Sequence, residues 1–166
     1  MNIQSLSTKY LVKRIEDADI SGVFALCKGN PLYYQFCPPF VTVESIKRDM
    51  VALPGGKTMA DKYYLGFYSD DQLVAVMDLI AGYPNAKTAF IGFFMMNQQW
   101  QGMNIGTHII TEACHYLKGA GFSEVRLGYA KGNFQSEAFW LKNHFEKTGV
   151  EKQAENYISV YMQRRL

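Results

Sequence analysis

The stretch Phe93–Leu117, FFMMNQQWQGMNIGTHIITEACHYL, decides the fold, because within it an apolar run stops at a polar turn and becomes a helix. Upstream of the turn, Phe90 to Met96 is aromatic, β-branched and thioether-bearing with no charge, which predicts a strand buried on both faces. Asn97 to Gln101 form the polar break. From Ile105 onward, Ile109, Ile110, Ala113, Cys114 and Leu117 recur at helical spacing, predicting a helix of about four turns. Between strand and helix, Gln101-Gly102-Met103-Asn104-Ile105-Gly106 places two glycines and an asparagine that tolerates positive φ where backbone must approach something closely. The first turn of a helix carries N–H groups without intrahelical partners and a partial positive charge, so an uncovered turn here can hold a phosphate. The plain alternative is a tight strand-to-helix connection with no ligand.

Elements alternate on either side of this stretch. Tyr10 to Arg14 reads as a first strand, and Asp17 or Asp19 caps a helix to about Lys28, ended by Gly29-Asn30-Pro31. Tyr33, Tyr34, Phe36 and Phe40, around Pro38-Pro39, read as a sticky aromatic loop that either packs into the core or walls an acceptor pocket. A helix follows from Thr42 to Leu53. Lys62 to Tyr68 and Leu73 to Ala81 form an antiparallel hairpin about Ser69-Asp70-Asp71-Gln72. After the Ile105 helix, ended by Gly121, come a strand at Glu124 to Tyr129, a helix at Gln135 to Asn143 and a final strand pair, Glu146 to Lys152 and Tyr157 to Arg164. The result is a mixed α/β sheet with helices on both faces.

Composition narrows the function. At 166 residues, with no linker-like tract, the chain reads as one domain spanning residues 1–166. The net charge of +2 rests on scattered basic residues, which speaks against a nucleic-acid partner. No apolar segment reaches membrane-spanning length and the N-terminus lacks a signal-peptide pattern, so neither a membrane partner nor export is expected and the place is cytoplasmic. Cys27, Cys37 and Cys114 are odd in number and form no C-x-x-C, so no disulfide framework or zinc site is expected.

The phosphate-loop stretch resembles the acyl-CoA pyrophosphate loop of the GNAT superfamily of N-acetyltransferases, whose pattern is Gln or Arg, two residues, Gly or Ala, one residue, Gly or Ala. Gln101 fits the first position and Gly106 the last, with Asn104 at the middle one. A second stretch, Val125–Phe145 (VRLGYAKGNFQSEAFWLKNHF), is similar to the family's fifth strand and the Asn-led helix after it, with Asn133, Ser136, Phe139 and Phe145 at the expected intervals. The resemblance implies a GNAT-like, mixed, mostly antiparallel sheet of about six to seven strands with helices on both faces. It also implies acetyl-CoA as co-substrate, no metal, and a small-molecule or peptide amine as acceptor. By the same resemblance, amides of Phe94, Met95 and Met96 face the thioester and pantetheine. Amides of Gly102, Met103, Asn104, Ile105, Gly106 and Thr107 hold the pyrophosphate while Gln101 shapes the loop. Asn133 reaches the pantetheine from the other side, flanked by Phe139 or Trp140.

Trp140 stands where many members carry a tyrosine that protonates the leaving thiolate, and an indole N–H cannot do so. That role then falls to Tyr129 or to water. The fourth strand has no carboxylate, so Asp78, inside the apolar VAVMDLIAGY, is the candidate base, unless it points to solvent or is paired with Lys or Arg. Tyr83 lies close enough in sequence to join Asp78, and Tyr33 and Tyr34 are candidate acceptor contacts. The loss of the tyrosine keeps open a second class, an acyl-CoA sensor or interaction module of the same fold with little catalysis. A homodimer through the C-terminal strands and the aromatic surface also stays open. Two other patterns read as decoys. Gly56-Lys57-Thr58 lacks the first glycine of a P-loop, and His108, Glu112 and His115 read as a solvated helix face rather than a metal site.

Overall fold

The computed structural model describes residues 1–166. Seven strands, β1 (Leu11–Arg14), β2 (Lys62–Ser69), β3 (Gln72–Ala81), β4 (Thr88–Met96), β5 (Glu124–Ala130), β6 (Glu146–Gln153) and β7 (Ile158–Arg165), form one sheet in the order β1-β2-β3-β4-β5-β7-β6. Every neighbouring pair is antiparallel except β4 and β5, which run parallel because the long crossover between them carries a helix. The helices are α1 (Ile20–Lys28), α2 (Pro31–Phe36), α3 (Val43–Val51), α4 (Ile105–Gly119) and α5 (Phe134–Lys142). None is long and apolar enough to cross a membrane.

The sheet is covered on both faces. On one, the α4 stripe Ile109, Ile110, Ala113, Cys114 and Leu117 meets Leu65, Phe67, Met77, Leu79, Ile91, Leu127 and Met162. On the other, Ile20, Val23 and Leu26 of α1 and Ile46 of α3 meet Tyr64, Tyr68, Val76 and Met95. Thr42 caps α3 through a reciprocal pair with Ser45. Gly121, at φ +91°, ends the chain's path out of α4.

Three expectations are corrected. Tyr33 to Phe36 form α2 rather than a loop, because Pro31 sits at the first helical position, where its fixed φ suits the helix and its missing N–H costs nothing. The middle of β4 is not buried on both faces: Gly92 is exposed and Phe93 and Phe94 only partly buried, since β5 has left its side by then. Glu112 is not a solvated helix residue. It accepts hydrogen bonds from the Ser7 hydroxyl (2.7 Å) and from the backbone and side chain of Thr8, pinning the N-terminal segment to α4.

Burial raises the proton affinity of Glu112, but the bonds from Thr8 and Ser7 outweigh it, and the carboxyl titrates below its ordinary range. A carboxyl depressed in the folded state stabilises above its unfolded pKa, and that contribution is lost as pH falls through the folded value. Glu112→Ala is therefore expected to lose about 2 kcal/mol in urea unfolding at neutral pH, with a deficit that disappears in acid. A deficit independent of pH would refute the role given to the carboxylate.

Candidate active site

Strands β4 and β5 part company. They pair from Thr88 with Glu124 to Ile91 with Leu127, after which β5 continues only against β7 and β4 only against β3. At the parting point β4 carries an extra residue. Asp78 pairs with Phe93 and Leu79 with Ile91, leaving Gly92 as a bulge. Glycine is required there because the Asp78 side chain lies across it: a Cβ on residue 92 would sit 2.6 Å from Oδ2 of Asp78. The wedge between the strands holds a narrow cavity of about 50 Å³ walled by Tyr33, Cys37, Gly92, Phe93, Tyr129 and Tyr157. A wider cleft of about 270 Å³ runs from it along the 101–107 loop, the two sharing Tyr33, Phe94, Ser136 and Trp140.

The loop presents bare backbone. Gly102 (φ +76°) and Asn104 (φ +62°) both take left-handed conformations, which lead the chain into α4 with its N–H groups outward. From Gly102 through Thr107 no N–H donates to a protein acceptor, and the helical bonding starts with His108 to the Asn104 carbonyl (3.1 Å). A Cβ on Gly106 would lie 3.1 Å from the Phe139 ring and 3.4 Å from Met96, so the helix start is packed tightly against the end of β4. The cluster of free donors at a helix N-terminus fits a pyrophosphate. Lys142, which the sequence reading passed over, adds a cation by donating to Asn104 Oδ1 at 2.9 Å. Gln101 and Asn30 together brace the entry to the loop. The Gln101 Nε2 donates to the Met96 carbonyl (3.2 Å) and to Oδ1 of Asn30 (2.7 Å), while Asn30 itself donates to the same carbonyl (3.0 Å).

The β4 amides divide by alternation. Asn97 donates to Val74 at 2.8 Å, which fixes the ladder phase and commits the Met95 N–H to β3, while those of Phe94 and Met96 face the wedge. Met95 therefore lines the cleft without an amide to offer, a correction to the expected trio. Asn133 is 4% exposed and caps α5 by accepting from the Ser136 N–H at 3.0 Å, leaving its Nδ2 without a partner beside the cleft. Trp140 is buried among Phe139, Phe145 and Phe94, at ring separations of 5.0, 5.1 and 6.0 Å, and forms an apolar wall.

The expected proton-transfer residues meet different circumstances. Asp78 is ion-paired, its Oδ1 2.8 Å from the ammonium of Lys62, which is only 1% exposed. Burial raises the Asp78 carboxyl above its ordinary value and Lys62 opposes that rise. Tyr129 reaches the wedge with its ring, but its hydroxyl donates to Glu137 (2.7 Å), which in turn pairs with Lys147 (2.6 Å), so its proton is directed away from the cleft. Tyr33 lines both cavities, standing edge-on to Tyr34 (5.0 Å) and to Phe93 (5.8 Å). Tyr34 lies behind it, against Phe40, and Tyr83 packs on Phe90 outside both cavities. Tyr157 was missed. Its ring lines the wedge, and its hydroxyl has no partner in the protein.

The family model for the GNAT acetyltransferases matches residues 31–145. The chain belongs to that family. It is an acyl-CoA-dependent acetyltransferase, and its seven-stranded, mostly antiparallel sheet with helices is a GNAT-like fold. No curated protein sequence matches it significantly. Among solved structures, it is similar to an acetyltransferase from Thermus thermophilus at 16% identity and TM-score 0.74, covering 95% of this chain and 97% of that one. An acetyltransferase of Salmonella typhimurium that modifies the N-terminal serine of a 50S ribosomal subunit protein shares 19% identity at TM-score 0.73, with 97% of each chain covered. The PaiA N-acetyltransferase of Thermoplasma acidophilum, solved in complex with coenzyme A, shares 18% at TM-score 0.67 over 95% of this chain and 99% of that one.

The Asp78–Lys62 pair has a consequence for any test of this GNAT site. Removing one partner strands a buried charge, so Asp78→Asn is expected to lower unfolding stability by about 3 kcal/mol, and Lys62→Met combined with Asp78→Val to recover most of the loss. Denaturant melts of the three variants decide this. An unperturbed Asp78→Asn would show that Lys62 finds other compensation.

Proposed function

We propose that this acetyltransferase moves an acetyl group from acetyl-CoA to a primary amine by direct attack within a ternary complex. The observation that carries this reading is the continuity of bare donors from the α4 N-terminus, past Phe94 and Met96, into the wedge at Gly92. Bound acetyl-CoA supplies an activated acyl group as a thioester. The amides of residues 102–107, with Lys142 alongside, hold the pyrophosphate, and Asn133 Nδ2 donates to the pantetheine arm. A wedge-facing β4 amide, that of Phe94, donates to the oxyanion that develops on the acyl oxygen. Trp140 and Phe139 exclude water along one wall.

The nitrogen–carbon bond forms as the carbon–sulfur bond breaks, so one proton leaves the nitrogen and one joins the sulfur. Asp78 is the base in this reading: Lys62 occupies Oδ1, and Oδ2 lies over Gly92 at the wedge. Tyr157 replaces Tyr129 as the acid. Burial pushes its phenol further above its ordinary value, so it stays protonated at neutral pH, and its hydroxyl has no partner in the protein while the residue lines the wedge. The supporting neighbour that acts on a protein N-terminus is consistent with an amine acceptor. A sensor with the same fold would bind CoA without turning it over.

Two outcomes test the reading. CoA is expected to raise the melting temperature, adenosine without phosphates is not, and Gly106→Asp is expected to abolish the CoA shift by adding bulk and negative charge beside the phosphates. Equal shifts from CoA and adenosine would remove the loop assignment. In steady-state assays with acetyl-CoA, Tyr157→Phe is expected to lower kcat by about tenfold or more, most at high pH where solvent protons are scarce, while Tyr129→Phe stays within about threefold of the parent. The reverse pattern would return the acid role to Tyr129.

A further inference from the structure

Two glycines open the wedge, one on each strand. Ile91 and Leu127 form the last pair between β4 and β5, and the next residue on each strand is a glycine, Gly92 and Gly128, both walling the narrow cavity. Glycine inside a strand gives up side-chain packing and costs backbone entropy, so its presence marks a close approach. Each is crossed by an oxygen-bearing side chain from the strand on its outer side. Asp78 of β3 lies over Gly92, and Ser159 of β7 lies over Gly128, where a Cβ would collide with the Ser159 hydroxyl oxygen. The two side chains share a face of the sheet. Asp78 falls between Met77 and Leu79, and Ser159 next to Val160, all three of which point into the α4 core, so both polar residues project from the opposite face. Tyr157, two residues before Ser159 on that face, lines the wedge itself. Asp78 has one oxygen on Lys62 and the other over Gly92, while the half-buried Ser159 hydroxyl makes no hydrogen bond within the protein.

We propose that Ser159 is an acceptor-binding residue which, together with Asp78, selects for a primary amine. This rests on the reading of the wedge as the site of acetyl transfer. A neutral primary amine carries one lone pair and two N–H groups. With the lone pair toward the acyl carbon, one N–H donates to Asp78 Oδ2 and the other to Ser159 Oγ, so side chains from the two outer strands hold the nitrogen from both sides. As the nitrogen–carbon bond forms, the nitrogen becomes positive and Asp78 takes the proton on its side. The second N–H stays on Ser159, a neutral acceptor, and is the one that survives in the amide product. A secondary amine has a single N–H, which the reaction consumes, and it sets its extra carbon against the Ser159 hydroxyl.

The test compares 2-phenylethylamine, chosen for the aromatic walls of Tyr33, Phe93 and Tyr157, with its N-methyl and N,N-dimethyl derivatives. With acetyl-CoA in excess, kcat/KM is expected to be about tenfold or more higher for the primary amine than for the N-methyl one. Ser159→Ala is expected to cut the primary amine about tenfold and to leave the N-methyl amine within about twofold, so that the ratio falls. An unchanged ratio overturns the assignment, and so does an equal fall for both amines, which is what a purely structural role would produce. Calorimetric titration into CoA-bound protein reads the same contact without turnover. There the primary ammonium is expected to bind about tenfold more weakly to Ser159→Ala than to the parent, and the N,N-dimethyl ammonium, with its single N–H, equally to both. Equal weakening of the two, or none, refutes the contact even where no acetyl transfer is seen. A parent protein that binds the primary amine but transfers no acetyl group counts against the transferase reading instead.

Discussion

Beyond Ile91 the fourth strand has no neighbour on its β5 side, and the site follows from that one lost pairing. Backbone N–H groups left unpaired in a protein interior are costly, and a fold keeps them only where water or a ligand completes them. Here the unpaired edge of β4 ends against the unpaired first turn of α4, where Gly106 packs on Met96, so two separate deficits of the backbone lie along one cleft. The Gly92 bulge marks the wedge end of this cleft by letting Asp78 cross over β4, and the glycine and αL asparagine of the loop mark the other by turning the α4 amides outward. Side chains mostly set the shape of the cleft, while the main chain supplies its polarity.

The second organising element is the buried Lys62–Asp78 pair. It lets a strand interior that does not accept a lone charge hold a carboxylate at Asp78. Lys62 holds one carboxyl oxygen and neutralises the charge, yet leaves the other oxygen over the wedge.

Much of this was legible in the sequence, for physical reasons that can be named. The change from an uncharged strand to a helical apolar period across Asn97–Asn104 marks the strand-to-helix loop, and Gly102 and Asn104 there do take the left-handed conformation their residue types tolerate. The hairpin, the capped α3 and the Asn133-led helix were legible for the same kind of reason, being written in local turn and cap chemistry. What escaped depends on partners far apart in the chain. Lys62 reads as the polar start of a strand until β2 and β3 align and place it opposite Asp78. Tyr129 reads as a hydroxyl aimed at the cleft until α5 brings Glu137 beside it. Tyr157 lies in the turn into the last strand and reveals itself only when β7 inserts beside β5. The Met95 amide is a matter of ladder phase, which a sequence does not record.

The bracket that Asn30 and Gln101 place on the Met96 carbonyl joins the two halves of the site. Asn30 belongs to the corner between α1 and α2, while Gln101 opens the 101–107 loop, and they meet at a single oxygen. Any movement of α2 that detaches Asn30 also loosens the segment from which the bare loop amides project. The corner and the loop entry are thus held at one point, and a substitution at Asn30 removes a support of both at once.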